Sequence, residues 1–140
     1  MRVQLRITAI LLTVSWFAYG FTGDESLGRK RPFGNDWKFA LGDQRGASTF
    51  DCDDANWRVL DLPHDWSIEG VVDQMNPTGG AGGYFPAGLG WYRKKFTVPS
   101  SWHGKRVSIY FEGVYSNAEL FCNGMSLGIH PYGYTSFSYD

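Results

Sequence analysis

Asp65 and Glu69 stand four residues apart in one polar stretch, and a pair of carboxylates is the minimum equipment for hydrolysing a glycosidic bond. That chemistry needs the two groups to face each other across a substrate, about 5–10 Å apart. Two acids in a single loop, with no enclosing pocket in the pattern, do not meet the requirement. Other chemistry is equally bare. His64, His103 and His130 fall in separate turns without ligand spacing, and neither Cys-x-x-Cys nor His-Glu-x-x-His occurs. A solvated or hydrogen-bonded histidine is expected at each. The glycine run Gly79–Gly83 is not followed by Gly-Lys-Ser/Thr and opens no helical pattern, so it is no phosphate loop. Asn76-Pro77-Thr78 is barred from N-glycosylation by its proline. The sequence therefore implies no catalytic group, no metal and no cofactor.

The elements that would position any site are strands. From Gly90 to Gly124 the chain holds three segments of period two, separated by turn residues. In Trp91–Val98, Tyr92 and Phe96 alternate with Arg93 and Lys95. In Arg106–Glu112, Val107, Ile109 and Phe111 alternate with Arg106, Ser108, Tyr110 and Glu112. In Ala118–Cys122, Ala118, Leu120 and Cys122 take every second place. Such alternation buries one face of a pleated strand and leaves the other wet. Pro99-Ser100-Ser101 breaks the first run, and Asn123-Gly124 closes the third as a two-residue hairpin turn. Upstream, Trp37, Phe39 and Leu41 alternate in a first strand, and Trp57–Leu62 forms a short one stopped by Pro63. The stretch from Leu62 to Leu89 is long and aperiodic, as functional loops often are. No segment keeps helical periodicity beyond two turns, so the fold class is all-β, an antiparallel sandwich.

The first twenty residues have a different character. Arg2 and Arg6 flank an apolar run, Ile7–Phe17, followed by Ala18-Tyr19-Gly20. That order is the order of a secretory signal peptide, and the run is too short to span a bilayer. Residues 1–20 are thus expected to be an export leader, 21–32 a flexible polar lead-in, and 33–140 the folded domain. The destination would be periplasmic or extracellular. Loss of the leader removes two of 13 basic residues and none of the 14 acidic ones. A mildly acidic balance gives no reason to expect nucleic acid or an anionic membrane as partner. Cys52 and Cys122 lie far apart; free thiols are the expectation, with a bridge as the alternative. The chain carries 6 Trp, 8 Tyr and 10 Phe, a density that suits β cores and also stacking on sugar faces.

An ordered series of short motifs adds what pattern alone does not. Leu62-Pro63-His64-Asp65-Trp66 is followed by Gly83-Tyr84-Phe85-Pro86 and Gly90-Trp91-Tyr92-Arg93-Lys94. Then come Phe111-Glu112-Gly113-Val114, Asn123-Gly124, Gly128-Ile129-His130 and Tyr134-Thr135-Ser136-Phe137. The series resembles the N-terminal sugar-binding domain of glycoside hydrolase family 2, and most of all that of exported bacterial β-galactosidases. It covers the chain from about Phe33 to Asp140. The resemblance implies a jelly roll like the galactose-binding domains, here incomplete at its C-terminal end. It also implies partnership with a catalytic (β/α)₈ barrel that holds both catalytic glutamates, and a β-galactoside-like glycan as ligand. Glu112, in the Phe-Glu-Gly-Val motif, is then a structural position.

Within this resemblance the candidate sugar contacts are Asn76, Asp65 and Tyr84. Asn76-Pro77-Thr78-Gly79 matches a family loop whose asparagine reaches the barrel mouth and meets sugar hydroxyls. An amide offers a hydroxyl pair both donor and acceptor. The alternative is a turn asparagine serving its own backbone. Three functional classes stay open: a glycosidase accessory domain, a free-standing lectin-like module, and a structural sandwich that binds protein. A homo-oligomer is compatible with all three. For the leader, mass analysis of exported protein should find an N-terminus close to Phe21. A soluble cytoplasmic product that retains Met1 would contradict it.

Overall fold

The computed structural model of the protein describes residues 2–9, as backbone, and 30–140. Among these residues eight strands follow one another: β1 Arg2–Ala9, β2 Trp37–Leu41, β3 Arg58–Leu60, β4 Gly88–Lys95, β5 Ile109–Phe111, β6 Ala118–Cys122, β7 Met125–His130 and β8 Phe137–Tyr139. Six form one sheet in the order β3-β2-β4-β1-β6-β7, and β5 pairs with β8 in a second. Every pairing is antiparallel. Among the described residues there is no α-helix, only three short 3₁₀ turns. The all-β antiparallel reading holds.

The core lies between the two sheets. Trp37 and Phe39 of β2, Tyr92 of β4, and Ala118 and Leu120 of β6 form one buried cluster with Phe111 of β5, Val114 and Trp66. Ile109, Phe137 and Tyr139 of the smaller sheet pack against it, and the rings of Phe111 and Phe137 stack with centroids 4.9 Å apart. Each large side chain so buried contributes about 1.5–3 kcal/mol. Gly90 is where the sheet admits the Trp66 indole. A Cβ there would stand 3.0 Å from Trp66 Nε1 and 3.1 Å from Phe39 Cε2, tighter than ordinary packing tolerates.

Expected and observed strands agree best where alternation is strict. β6 coincides with the predicted segment, and β2 spans the Trp37–Leu41 pattern. β6 turns into β7 at Asn123 and Gly124, whose φ angles of 51° and 87° are the left-handed pair that a two-residue hairpin needs. β4 begins three residues earlier than predicted, at Gly88, because Gly88 and Gly90 hide a strand whose place is set by pairing on both sides. Only Ile109–Phe111 of the Arg106–Glu112 segment is strand, the length over which β8 pairs with it. Both cysteines are free and half-buried.

Two differences change the picture. The first is β1, since the sequence reading assigns Arg2 and Arg6 to the basic flank of a leader. In the structure residues 2–9 run through the middle of the large sheet, paired with β4 along their whole length and with β6 over Val3–Arg6. Residues 10–20, the remainder of the expected leader, and the lead-in up to 29 lie outside the described residues. The second is Arg93, placed by alternation on a wet face but only 2% exposed.

Arg93 is covered because the loop between β2 and β3 folds over that face. Its Nε donates to Asp54 Oδ2 at 3.2 Å, and its Nη1 donates to the carbonyls of Ala47 and Thr49. Lys38 and Lys95 donate to Asp54 Oδ1 at 2.9 and 3.1 Å, and Lys38 also to the Asp54 carbonyl. Burial of Asp54, 4% exposed, would raise its pKa, but the bonds from Lys38, Lys95 and Arg93 prevail and bring it down to about 2. A carboxylate with a depressed folded pKa stabilises the fold above its unfolded value, near 3.9, and loses that contribution as the pH falls towards 2. Asp54→Asn should therefore lower stability near neutral pH by about 3–5 kcal/mol, leaving Arg93 buried without its counter-charge. In urea titrations the gap to wild type should shrink between about pH 4 and pH 2. A gap independent of pH would contradict the assignment.

Candidate functional site

The large sheet opens a cleft where β3 stops short of β2. β3 pairs with Trp37, Lys38 and Phe39, so Ala40 and Leu41 have β4 on one side and no ladder partner on the other. The space left is a cleft of about 750 Å³. Phe39, Trp57, Trp66 and Pro86 give it an apolar floor and wall, while Gln44, Asp53 and Asn56 supply amide and carboxylate groups. The Asp54 anchor sets this wall, since it holds the loop that ends in Asn56 and Trp57. The Trp57 ring lies over the Arg93 guanidinium, 5.8 Å from centroid to carbon.

An ion pair stands at the mouth. Arg58 opens β3 and donates through Nη2 to Glu69 Oε1 and Oε2 at 3.0 and 2.8 Å, with its guanidinium 5.3 Å from the Phe39 ring centroid. The same Nη2 lies 2.5 Å from His64 Nε2. Nε2 also lies 3.2 Å from Glu69 Oε1, and Nδ1 lies 2.7 Å from the Tyr92 hydroxyl. The chain of contacts thus runs from exposed Glu69 through His64 to a tyrosine 2% exposed. The Arg58 bond holds the Glu69 carboxyl below its ordinary range against a smaller opposing effect of burial, and His64 adds to it. Burial pushes the Tyr92 phenol far up, and the nearby Asp65 charge pushes the same way. Tyr92 is a neutral structural hydroxyl at any ordinary pH.

Asp65 and Glu69 are engaged separately. Asp65 Oδ1 accepts the backbone N–H of Ser67 at 2.9 Å and caps a turn, while Glu69 is committed to Arg58. Asn76 and Tyr84 do come together. Asn76 Nδ2 donates to the carbonyls of Val71 and Tyr84, both at 2.8 Å, and Asp73 N–H meets the same Tyr84 carbonyl at 3.1 Å. Thr78 Oγ1 closes the loop on the Phe85 carbonyl at 2.6 Å. Both amide hydrogens of Asn76 are spent inside its own loop, which leaves Oδ1 as the group it can offer a ligand. No hydrogen bond joins Asp65 to Asn76 or Tyr84, and none of the three lines the cleft. His64 is hydrogen-bonded through both ring nitrogens, and His130 through Nε2 to Thr135 at 3.0 Å. Glu112 is exposed just beyond β5. No group of three or more metal-ligating side chains occurs among the described residues.

Sequence reasoning missed Trp57, Arg58 and Gln44. Its only signal was local and covered Trp57 and Arg58 alone, a cluster Asp53-Asp54-Ala55-Asn56-Trp57-Arg58 at the entrance to a short strand. That cluster becomes a wall only when Arg93, far along the chain, draws Asp54 onto the sheet.

Comparison with known proteins adds the family context. Residues 32–140 match the family described as "Glycosyl hydrolases family 2, sugar binding domain". A β-galactosidase, BoGH2A, of Bacteroides ovatus is 56% identical over 108 residues, which is 77% of this chain and 13% of that protein. A β-glucuronidase of Formosa agariphila is 32% identical over 114 residues, 77% of this chain and 11% of that protein. Among solved structures, a β-glycosidase from Bacteroides vulgatus superimposes with a TM-score of 0.75 at 54% identity, covering 77% of this chain and 14% of that one. The chain thus spans about one seventh or less of the length of these relatives.

The Asn76 geometry can be checked directly. Asn76→Ala removes two donors from the carbonyls of Val71 and Tyr84, at about 0.5–1.5 kcal/mol for each bond. Amide exchange and proteolysis should accelerate between residues 71 and 85, while β2, β4 and β6 stay protected. Unchanged exchange in that loop would show that Asn76 does not organise it.

Proposed function

The chain belongs to the glycosyl hydrolase family 2 sugar-binding domains, and on that premise we propose that it is the carbohydrate-binding accessory domain of a β-galactosidase-like glycosidase. Its ligand is a β-galactoside-type glycan, and the bond-breaking carboxylates belong to a partner catalytic barrel. The observation that carries the reading is the cleft beside β2. A sugar ring presents a C–H face that packs on an aromatic ring and hydroxyls that pair with amides and carboxylates, and Trp57 with Asp53, Asn56 and Gln44 offers both in one place. The Arg93 guanidinium beneath Trp57 fixes the ring in advance, which reduces the ordering cost of binding. In the same reading, Asn76 Oδ1 and Tyr84 form a second contact point, presented by their loop towards the partner. The order of charge, apolar run and small residues in 1–20 supports export to the periplasm or beyond.

The proposal is tested by titrating the full chain with galactose, lactose and glucuronic acid while following tryptophan fluorescence and amide shifts. A β-galactoside should perturb Trp57 and the amides of residues 53–58, and Trp57→Ala should abolish the response with the fold intact by circular dichroism. Binding that survives in Trp57→Ala but is lost in Asn76→Ala would move the site to the 71–85 loop. Aryl β-galactoside hydrolysis by this chain alone is expected to stay at background. Turnover removed by Glu112→Gln or Glu69→Gln would overturn the accessory reading.

A further inference from the structure

Arg58 and Glu69 line the cleft together, and with Asp53 they are its charged groups. Each of the pair is held from its own side. Arg58 opens β3, and its guanidinium lies against the Phe39 ring. Glu69 ends a 3₁₀ turn, Ser67–Glu69, that is pinned at two points. The hydroxyl of fully buried Ser67 donates to the Pro86 carbonyl at 2.7 Å, and the Ser67 N–H donates to Asp65. Gly70 packs its backbone on the same proline, since a Cβ there would stand 2.2 Å from Pro86 Cγ. The turn therefore has little freedom to withdraw the Glu69 carboxylate from the mouth.

The guanidinium is bonded on one side. Among the described residues Nη2 makes all the hydrogen bonds of Arg58, to both Glu69 oxygens and to His64. Nε and Nη1 keep their N–H groups for a ligand, and those suit the hydroxyls of any sugar. Charge is what separates one sugar from another here. Glu69 cancels Arg58 at contact distance, and Asp53 leaves the lining with one cation against two carboxylates. A neutral ring meets donors and no uncompensated cation. A ring that carries a carboxylate meets a guanidinium already neutralised and two acids that repel it. We propose that Glu69, acting through Arg58, sets the charge selectivity of the cleft, admitting neutral glycans and excluding uronosides. The proposal rests on the cleft being the sugar site. Arg58 touches the ligand, and Glu69 is a positioning residue that fixes its charge balance.

One ligand in a charged and a neutral form tests this on the unaltered chain. Methyl β-glucuronide and its primary amide differ by one charge at one position. Followed through the backbone amide shifts of residues 53–58, the neutral form should bind about three- to tenfold tighter than the acid at low ionic strength. The preference should shrink as salt is raised to about 0.5 M. Glu69→Gln keeps the shape and removes the charge, so the order should reverse and the acid should bind tighter. Glu69→Asp should keep the original order, and Arg58→Gln combined with Glu69→Gln should lose the acid preference. Equal binding of the two forms by the unaltered chain overturns the proposal, whether or not the variants fold. So does a folded Glu69→Gln chain that keeps the original order. Methyl β-galactoside separates this inference from the reading beneath it. If it perturbs residues 53–58 while the neutral glucuronide form does not, shape rather than charge selects, and only the inference fails. If none of the three ligands perturbs those residues, both readings fail.

Discussion

The guanidinium of Arg93 lies in the middle of a sheet, almost out of solvent, and the structure on that side depends on how its charge is met. Stripping a cation of water is expensive unless a carboxylate and carbonyl oxygens replace the hydration. Asp54 supplies the carboxylate, and the backbone of residues 47–49 supplies the carbonyls. Because those partners sit on a long polar loop, satisfying one side chain also fixes that loop over the sheet. Lys38 and Lys95 share the same carboxylate from flanking positions, so a single acid ties β2, β4 and the loop together. A hydrophobic residue at position 93 could pack there, yet it would give the loop no reason to choose one position. Here the buried ion pair acts less as a source of stability than as a specification of where the loop goes.

The cleft follows from that specification and from one mismatch in length. β3 has three residues and β2 has five, so the ladder between them ends before β2 does. An open ladder end next to a pinned loop leaves a concavity that no core side chain fills. Its mouth is set by a second polar chain, from Glu69 through Arg58 and His64 to the hydroxyl of Tyr92. This chain fastens the turn after Pro63 to the far end of the core. Aromatic and polar groups thus meet at the surface on rigid supports, the arrangement that sugar recognition favours.

The large sheet itself is less self-sufficient than its core suggests. Its central strand comes from the far N-terminus, a stretch whose composition also suits an export leader. Among the described residues the smaller sheet covers the core with two short strands. A sandwich divided so unequally relies on every rung of the large sheet for coverage. The strand that joins β4 to β6 therefore governs both the edges exposed to solvent and the continuity of the core row through Tyr92 and Leu120.

The sequence by itself determined the all-β class, the β2 and β6 strands and the Asn123-Gly124 turn, because period-two alternation and positive-φ residues are local properties. It also determined the family, through motifs whose order is visible without any structure. What it did not determine shares one cause. Whether Arg93 faces water, whether residues 2–9 pair as a strand, and whether Trp57 lines a cleft depend on partners dozens of residues away. Alternation marks which residues share a face, but it does not say what covers that face. For Asn76, the sequence left a turn role and a ligand role equally open, and the tertiary structure assigned its two amide hydrogens to the carbonyls of Val71 and Tyr84. Only folding decided these points, since burial and hydrogen-bond satisfaction are properties of the assembled chain.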